Sequence, residues 1–251
     1  MSSTINLVDF IGIQEQNIIG GLINLGDDFK YAGKLDQFYG YPLNFFSASQ
    51  PGDGLIGSLY LDTHKHYCLS MANFFRNSIS VSWMVTRKAI EHTLSAYYLC
   101  RYPATEEIYC DRSHDRYKEI FYNIKRFMKD NEEEFPLSRG LCLYHELMSK
   151  NASHSTVEAH YMHRETIIDQ KANTGEVRVH YSEVLNFHKE YLPHYFVLLN
   201  IYFFCYELFW KELFSKRIKI STTEHDNEQK TYHKELKMLM KKHPTYSENS
   251  N

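Results

Sequence analysis

Apolar side chains recur every three or four positions through most of the chain beyond residue 58, the period of helices that bury one face. A first helix is predicted over 62–76, where Asn77 can adopt the left-handed backbone at the end and Ser78 can cap the next helix. That second helix, over 79–101, places Ile79, Trp83, Ile90, Leu94 and Tyr97 on one stripe, and Pro103 stops it. A third, from near Ser113, aligns Tyr117, Ile120, Phe121, Ile124, Phe127 and Met128, with Lys118, Lys125 and Lys129 on the far side. A fourth opens at Pro136, a favoured first-turn residue, and buries Leu141, Tyr144 and Met148. Ser155 followed by Glu158 is a capping box, so a further helix is predicted from there to the Gly175 region. A long helix over 182–214 follows, interrupted near Pro193.

Two short segments depart from this period. EVRVHY (176–181) and the run 217–221 alternate like strands, which suggests a small two-stranded accessory. Nine of the eleven glycines fall within the first 57 residues, beside Pro42 and Pro51, and this reads as a loop-rich stretch with 42–54 as its clearest turn cluster. The expected organisation is therefore a Gly-rich N-terminal extension (1–61), a helical bundle (62–221) and a polar C-terminal tail (222–251). In the tail, 228–242 could form an exposed amphipathic helix and the last eight residues are expected to be disordered. The fold class is all-α, a bundle of about five or six helices with a short β-hairpin as an option.

With 43% apolar, 15% aromatic and 24% charged residues, composition excludes wholesale disorder. A net charge of −3 gives no global grip on nucleic acid and leaves only a local basic patch for that purpose. The aromatic surplus is read as core and oligomer interface, because a base-stacking platform needs exposed rings among Arg and Lys. Five widely spaced cysteines form no CxxC pair, so they read as thiols of a reducing compartment. The opening residues lack a cationic region leading into an apolar run, and a cytoplasmic location is expected. The apolar stretch 195–210 is broken by Asn200 and Glu207 and is short for a bilayer, which favours a core helix over a membrane span.

Candidate chemistry gathers at two places. Arg87 and Glu91, four apart, share a helix face, whereas Arg87 and His92, five apart, point about 140° away from each other. Arg139 and His145 have a similar spacing but straddle Gly140 and match less well. The second place is Ser149-Lys150-Asn151-Ala152-Ser153-His154, where one helix ends and another begins. A helix N-terminus offers free N–H groups to phosphate and favours the uncharged form of His154, as a general base requires. Lys150 could stabilise negative charge on a phosphate oxygen. Alternatively, Asn151 and Ser153 satisfy local backbone groups and His154 has no role. His154, Glu158, His160 and His163 lie close in sequence but do not converge as ligands should, so no metal is assigned. Neither a phosphate-binding glycine loop nor a dinucleotide fingerprint nor a nucleophile elbow is present, and no cofactor is expected.

Three segments together, HKHYCLSMANFFRNS (64–78), SWMVTRKAIEHTLSAYYLCRYP (82–103) and LYHELMSKNASHST (143–156), resemble a bacterial family of helical proteins. That family is in turn similar to HEPN domains, compact helical bundles involved in RNA cleavage, toxin–antitoxin pairs and phage defence. The resemblance spans roughly residues 62 to 165. It implies a metal-independent ribonuclease site with His154, Lys150 and Asn151 in catalysis and Arg87, Glu91, Ser149 and Ser153 holding substrate. The active pattern is Arg-Asn-x3-His; here Ser149 stands five residues before His154, and Lys150-Asn151 lies one place too close. Lysine is a point charge without the bidentate fork of arginine, so the site is degenerate. The resemblance implies RNA, an antitoxin or other protein, and a second copy of the chain as partners, and no membrane. The alternative is a non-enzymatic helical interaction or dimerisation module.

Overall fold

The structure, a computed structural model, describes residues 7–45, 52–111, 113–151, 164–169, 174–179, 186–218 and 223–243. It is a helical bundle built round one apolar helix, α9 (Leu192–Phe209), of whose 18 residues 14 are buried. The wider helical stretch Phe187–Lys216 is long and apolar enough to cross a membrane, but 83% of its most apolar window lies inside the molecule, so it serves as the core.

The first 61 residues correct the expectation of a loop-rich extension. They contain α1 (Leu7–Leu25), α2 (Phe29–Gly40) and the first turns of α3 (Asp53–Phe75), which starts well before residue 62. Gln14, Gly21 and Leu25 are buried, and Ile18 and Leu22 pack against the core; this helical spacing outweighs the cost of glycine, about 1 kcal/mol each. Gly21 permits a close approach, because a Cβ there would stand 2.7 Å from the Tyr191 hydroxyl, whereas one at Gly33 in α2 would meet nothing within 4 Å. Gly21→Ala is therefore expected to destabilise the fold by about 1–2 kcal/mol. Gly33→Ala should stabilise it by about 0.5–1 kcal/mol, and urea unfolding of the two variants measures both.

Asn77 adopts φ 56° between α3 and α4 (Ile79–Arg101), as its position implies. Ser78 occupies the cap position of α4 without a side-chain capping bond. The two helices pack through small hydroxyl residues: Ser70 Oγ lies 2.7 Å from Ser82 Oγ and 2.8 Å from Thr86 Oγ1. α4 gives way at Tyr102, before Pro103, and the chain continues through α5 (Glu106–Cys110) and α6 (Asp115–Tyr117). The helix expected from Ser113 is broken. A π turn (Lys118–Tyr122) ends where the Asn123 side chain donates to the Glu119 carbonyl at 3.4 Å, and α7 (Ile124–Asp130) restarts beyond it. α8 (Ser138–Asn151) follows Pro136 closely.

β1 (Arg164–Asp169) pairs antiparallel with β2 (Thr174–Val179), Arg164 facing Val179 and Asp169 facing Thr174. Residues 164–169 are thus a strand, where a helix running to Gly175 was expected; the β-branched run Thr166-Ile167-Ile168 favours extended backbone. The strand expected at 176–181 is found over 176–179 within β2, its last two positions lying outside the described residues, and its partner is β1 and not 217–221, of which Arg217 and Ile218 are helical. Near Pro193 the long helix changes from π to α without a break in the helical stretch. The proline occupies the first turn of α9, and a π turn (Phe187–Tyr191) precedes it. Asn186 caps that turn, accepting from the Lys189 N–H at 3.0 Å, while its own N–H donates to Glu190 at 2.7 Å.

In the tail, the helix expected over 228–242 is present but is longer and not merely exposed. α10 (Thr223–Lys242) is part of the bundle, burying His225, Gln229, Tyr232 and Leu236. Trp210 Nε1 donates to Asp226 at 2.7 Å, and the Tyr206 hydroxyl bonds His225. With α1 and α2, α10 takes the bundle beyond the five or six helices expected. The final eight residues lie outside the described residues.

The aromatic surplus is largely accounted for by this interior. Tyr39 donates to the Tyr202 carbonyl (2.8 Å), Tyr60 to that of Tyr39 (2.6 Å), Tyr67 to that of Ala32 (2.7 Å) and Tyr202 to that of His66 (3.0 Å). Each ring fills core volume while its hydroxyl ties one helix to the backbone of another.

Candidate functional site

α4, α7 and α8 bring one polar cluster together, centred on Glu91. Arg87 Nε lies 3.5 Å from Glu91 Oε1, which confirms that these two side chains share a face. Lys88 Nζ approaches the other oxygen at 3.1 Å. From α8, His145 Nε2 reaches Glu91 Oε1 at 3.1 Å, and on its opposite side His145 Nδ1 meets Lys125 Nζ of α7 at 2.9 Å. Ser149, one turn further along α8, donates its hydroxyl to the His145 carbonyl at 2.8 Å. The His145 side chain is only 3% exposed, whereas Arg87 and Glu91 are each about one-third exposed, so the cluster runs from interior to surface.

The partners fix the imidazole. A lysine ammonium only donates, so Nδ1 must accept and the ring proton sits on Nε2, donating to Glu91. Burial disfavours ionisation of Glu91, but hydrogen bonds from His145 and Lys88 outweigh it and hold its pKa down to about 2. Burial lowers the pKa of Lys125, opposed by the Glu91 charge. Burial also pushes the neighbouring Cys142 thiol up to about 11, so it is an inert core thiol. The Glu91 shift has a definite sign. Its stabilising contribution is complete above the unfolded-state pKa of about 4.3 and is lost as pH falls toward about 2. The stability difference between the wild-type chain and Glu91→Gln should accordingly be flat above about pH 5.5 and shrink below pH 4.5, as read by urea unfolding across that range.

Other sequence-derived candidates fall elsewhere. His92 turns away from Arg87, as a five-residue step requires, and faces His66 at a ring-centroid distance of 5.1 Å; burial first, then His66, lowers its pKa to about 4. Arg139 pairs with Glu132 at 3.6 Å on an exposed surface and does not complete a pair with His145. Lys150 and Asn151 close α8. Ser153 and His154 lie outside the described residues, as do Glu158, His160 and His163. The residues that sequence reasoning underweighted are His145 and Lys125. The available signal was the i, i+4 step from His145 to Ser149 on a helix that also ends in the polar turn.

As held here, His145 has both ring nitrogens engaged and can exchange no proton with a substrate until Lys125 moves. What the cluster offers directly is positive charge: Arg87 and Lys88 contact Glu91, and Lys125 lies across the imidazole, while the nearby Glu146 is paired with Lys129. A cleft of about 1000 Å³ between α2 and α10 is spanned by a Lys34–Glu228 ion pair at 3.0 Å and contains none of these residues. Comparison of the chain with protein-family models, with curated proteins and with solved structures finds no match.

Proposed function

We propose that the chain is a HEPN-like cytoplasmic protein of RNA metabolism or defence that holds RNA phosphate at the Arg87–Lys88–Lys125 cluster. The observation that carries this reading is the local charge excess: Arg87 and Lys88 pair with Glu91, and Lys125 adds a third cation across the His145 ring, in a chain whose overall charge is −3. Arginine and lysine side chains close together suit phosphate oxygens, and partial burial strengthens their pull. Glu91 and His145 then act as the frame that keeps the cations in place. In this reading, any metal-independent cleavage falls to His154 with Lys150 and Asn151, beyond the Ser149 end of α8. The test incubates purified protein with structured and unstructured RNA in chelator-containing buffer. Binding that weakens with salt, and a His154→Ala variant that retains binding but loses cleavage, are expected. If the chain binds no RNA, or if His154→Ala changes neither binding nor cleavage, the corresponding part of the reading is dropped.

A second reading, a non-enzymatic dimerisation module, has its own observation. Along α1, Leu7, Ile11, Ile19 and Ile23 are 72%, 49%, 60% and 72% exposed, an apolar stripe with no covering element among the described residues. A second copy laid against α1 would bury it. Ile19→Lys with Ile23→Lys should then convert a dimer to a monomer in light scattering, and a wild-type chain that is already monomeric removes this reading.

A further inference from the structure

Asp36 of α2 and His64 and Cys68 of α3 place one ligand atom each within 4.8 Å of one another. The set is independent of the Glu91 cluster and of any RNA chemistry. His64 and Cys68 stand four apart on one helical face, so both side chains point the same way. Asp36 approaches from the neighbouring helix, its Oδ1 2.8 Å from His64 Nε2. The imidazole is firmly oriented. It stacks flat on the Tyr39 ring, centroids 5.0 Å apart and planes 4° from parallel, and Tyr39 is fully buried and anchored at its hydroxyl. Asp36 and Cys68 are exposed and His64 is half-buried, so an ion reaches all three without opening the core.

We propose that Asp36, His64 and Cys68 form a binding site for a divalent transition metal, zinc above all. Thiolate, imidazole and carboxylate together suit zinc, whereas calcium and magnesium prefer oxygen alone. Zinc–ligand bonds of about 2.0–2.3 Å in a tetrahedron put the donor atoms about 3.3–3.7 Å apart. Entry of the ion thus needs the His64–Asp36 contact to widen by about 0.5 Å and the sulfur to close in, movements within side-chain rotation. Three protein ligands leave the fourth position to water. On binding, Cys68 loses its thiol proton to solvent, the His64 Nε2 proton leaves to solvent with the ring keeping or taking up a proton at Nδ1, and the His64–Asp36 hydrogen bond is exchanged for two metal bonds, so affinity rises with pH. The bound ion would staple α2 to α3.

The experiment uses the full chain, reduced and metal-free, titrated with Co²⁺ and then displaced with Zn²⁺. Cobalt bound by a thiolate gives a near-ultraviolet charge-transfer band that histidine-only binding lacks, which matters in a chain with 14 histidines. The expected result is a saturable band with one Co²⁺ per chain, reversed by Zn²⁺. Cys68→Ser should abolish it, and His64→Ala and Asp36→Asn should each weaken the affinity at least about tenfold, the equivalent of about 1.4 kcal/mol. Far-UV circular dichroism checks that these surface variants remain helical. The proposal is overturned by absence of the band in the wild-type chain, by its survival in Cys68→Ser, or by unchanged affinity in both His64→Ala and Asp36→Asn.

Discussion

Tyr39→Ala is expected to cost about 4 kcal/mol of stability, the range for deleting a large buried ring. The Tyr39 side chain is fully buried and stacks against Tyr60 and Tyr67 at centroid distances of 5.6 and 5.7 Å. It meets Tyr206 edge-on at 5.4 Å, so its removal opens a cavity where α2, α3 and α9 meet. Tyr39→Phe keeps the ring and removes only the 2.8 Å bond to the Tyr202 carbonyl, with an expected loss of about 1 kcal/mol. Urea denaturation of the two variants separates packing from hydrogen bonding. Equal losses would mean that the ring is not the keystone of this junction.

The second large effect belongs to His145→Ala, expected to cost about 2–4 kcal/mol. The imidazole is buried between a carboxylate and an ammonium, and its loss leaves both charges without the group that joins them. The carboxyl of Glu91 should then rise from its pKa of about 2, because one of the two hydrogen bonds that depress it is gone. A double-mutant cycle with Glu91→Gln should show strong coupling, the double variant losing less than the sum of the single losses. Additive losses would contradict a direct Glu91–His145 interaction.

Where neighbours in sequence set the structure, the residues were readable. Asn77 at φ 56° and the stop before Pro103 follow from local chemistry, and so do the shared face of Arg87 and Glu91 and the buried character of α9. The first 57 residues misled because glycine was weighed as a turn former. Gly12, Gly20 and Gly33 sit within helices whose apolar spacing decides the backbone, and Gly21 is there for close packing. The strand β1 was hidden because the capping box upstream pointed to helix, while strand pairing with 174–179 is a non-local fact. For the same reason His145 was tied to Arg139 by spacing, though its partners are Glu91 and Lys125, 54 and 20 residues away. Asp36 is similarly remote from the helix face that carries His64 and Cys68, so a sequence search for ligand spacings passes over the trio.

The proposed function requires the cations around Glu91 to hold phosphate. The most direct measurement is fluorescence anisotropy of a labelled single-stranded RNA against salt concentration, comparing wild type, Arg87→Ala with Lys125→Ala, and a distant exposed pair on α2 and α10, Lys30→Ala with Lys242→Ala. Loss of the cluster pair should weaken binding at least about tenfold and flatten the salt slope by about 1.4, the release expected for two phosphate contacts on a single strand. The distant pair should leave both quantities close to wild type. If the two double variants behave alike, the cluster is an ion-pair network that joins helices, and RNA is not its ligand.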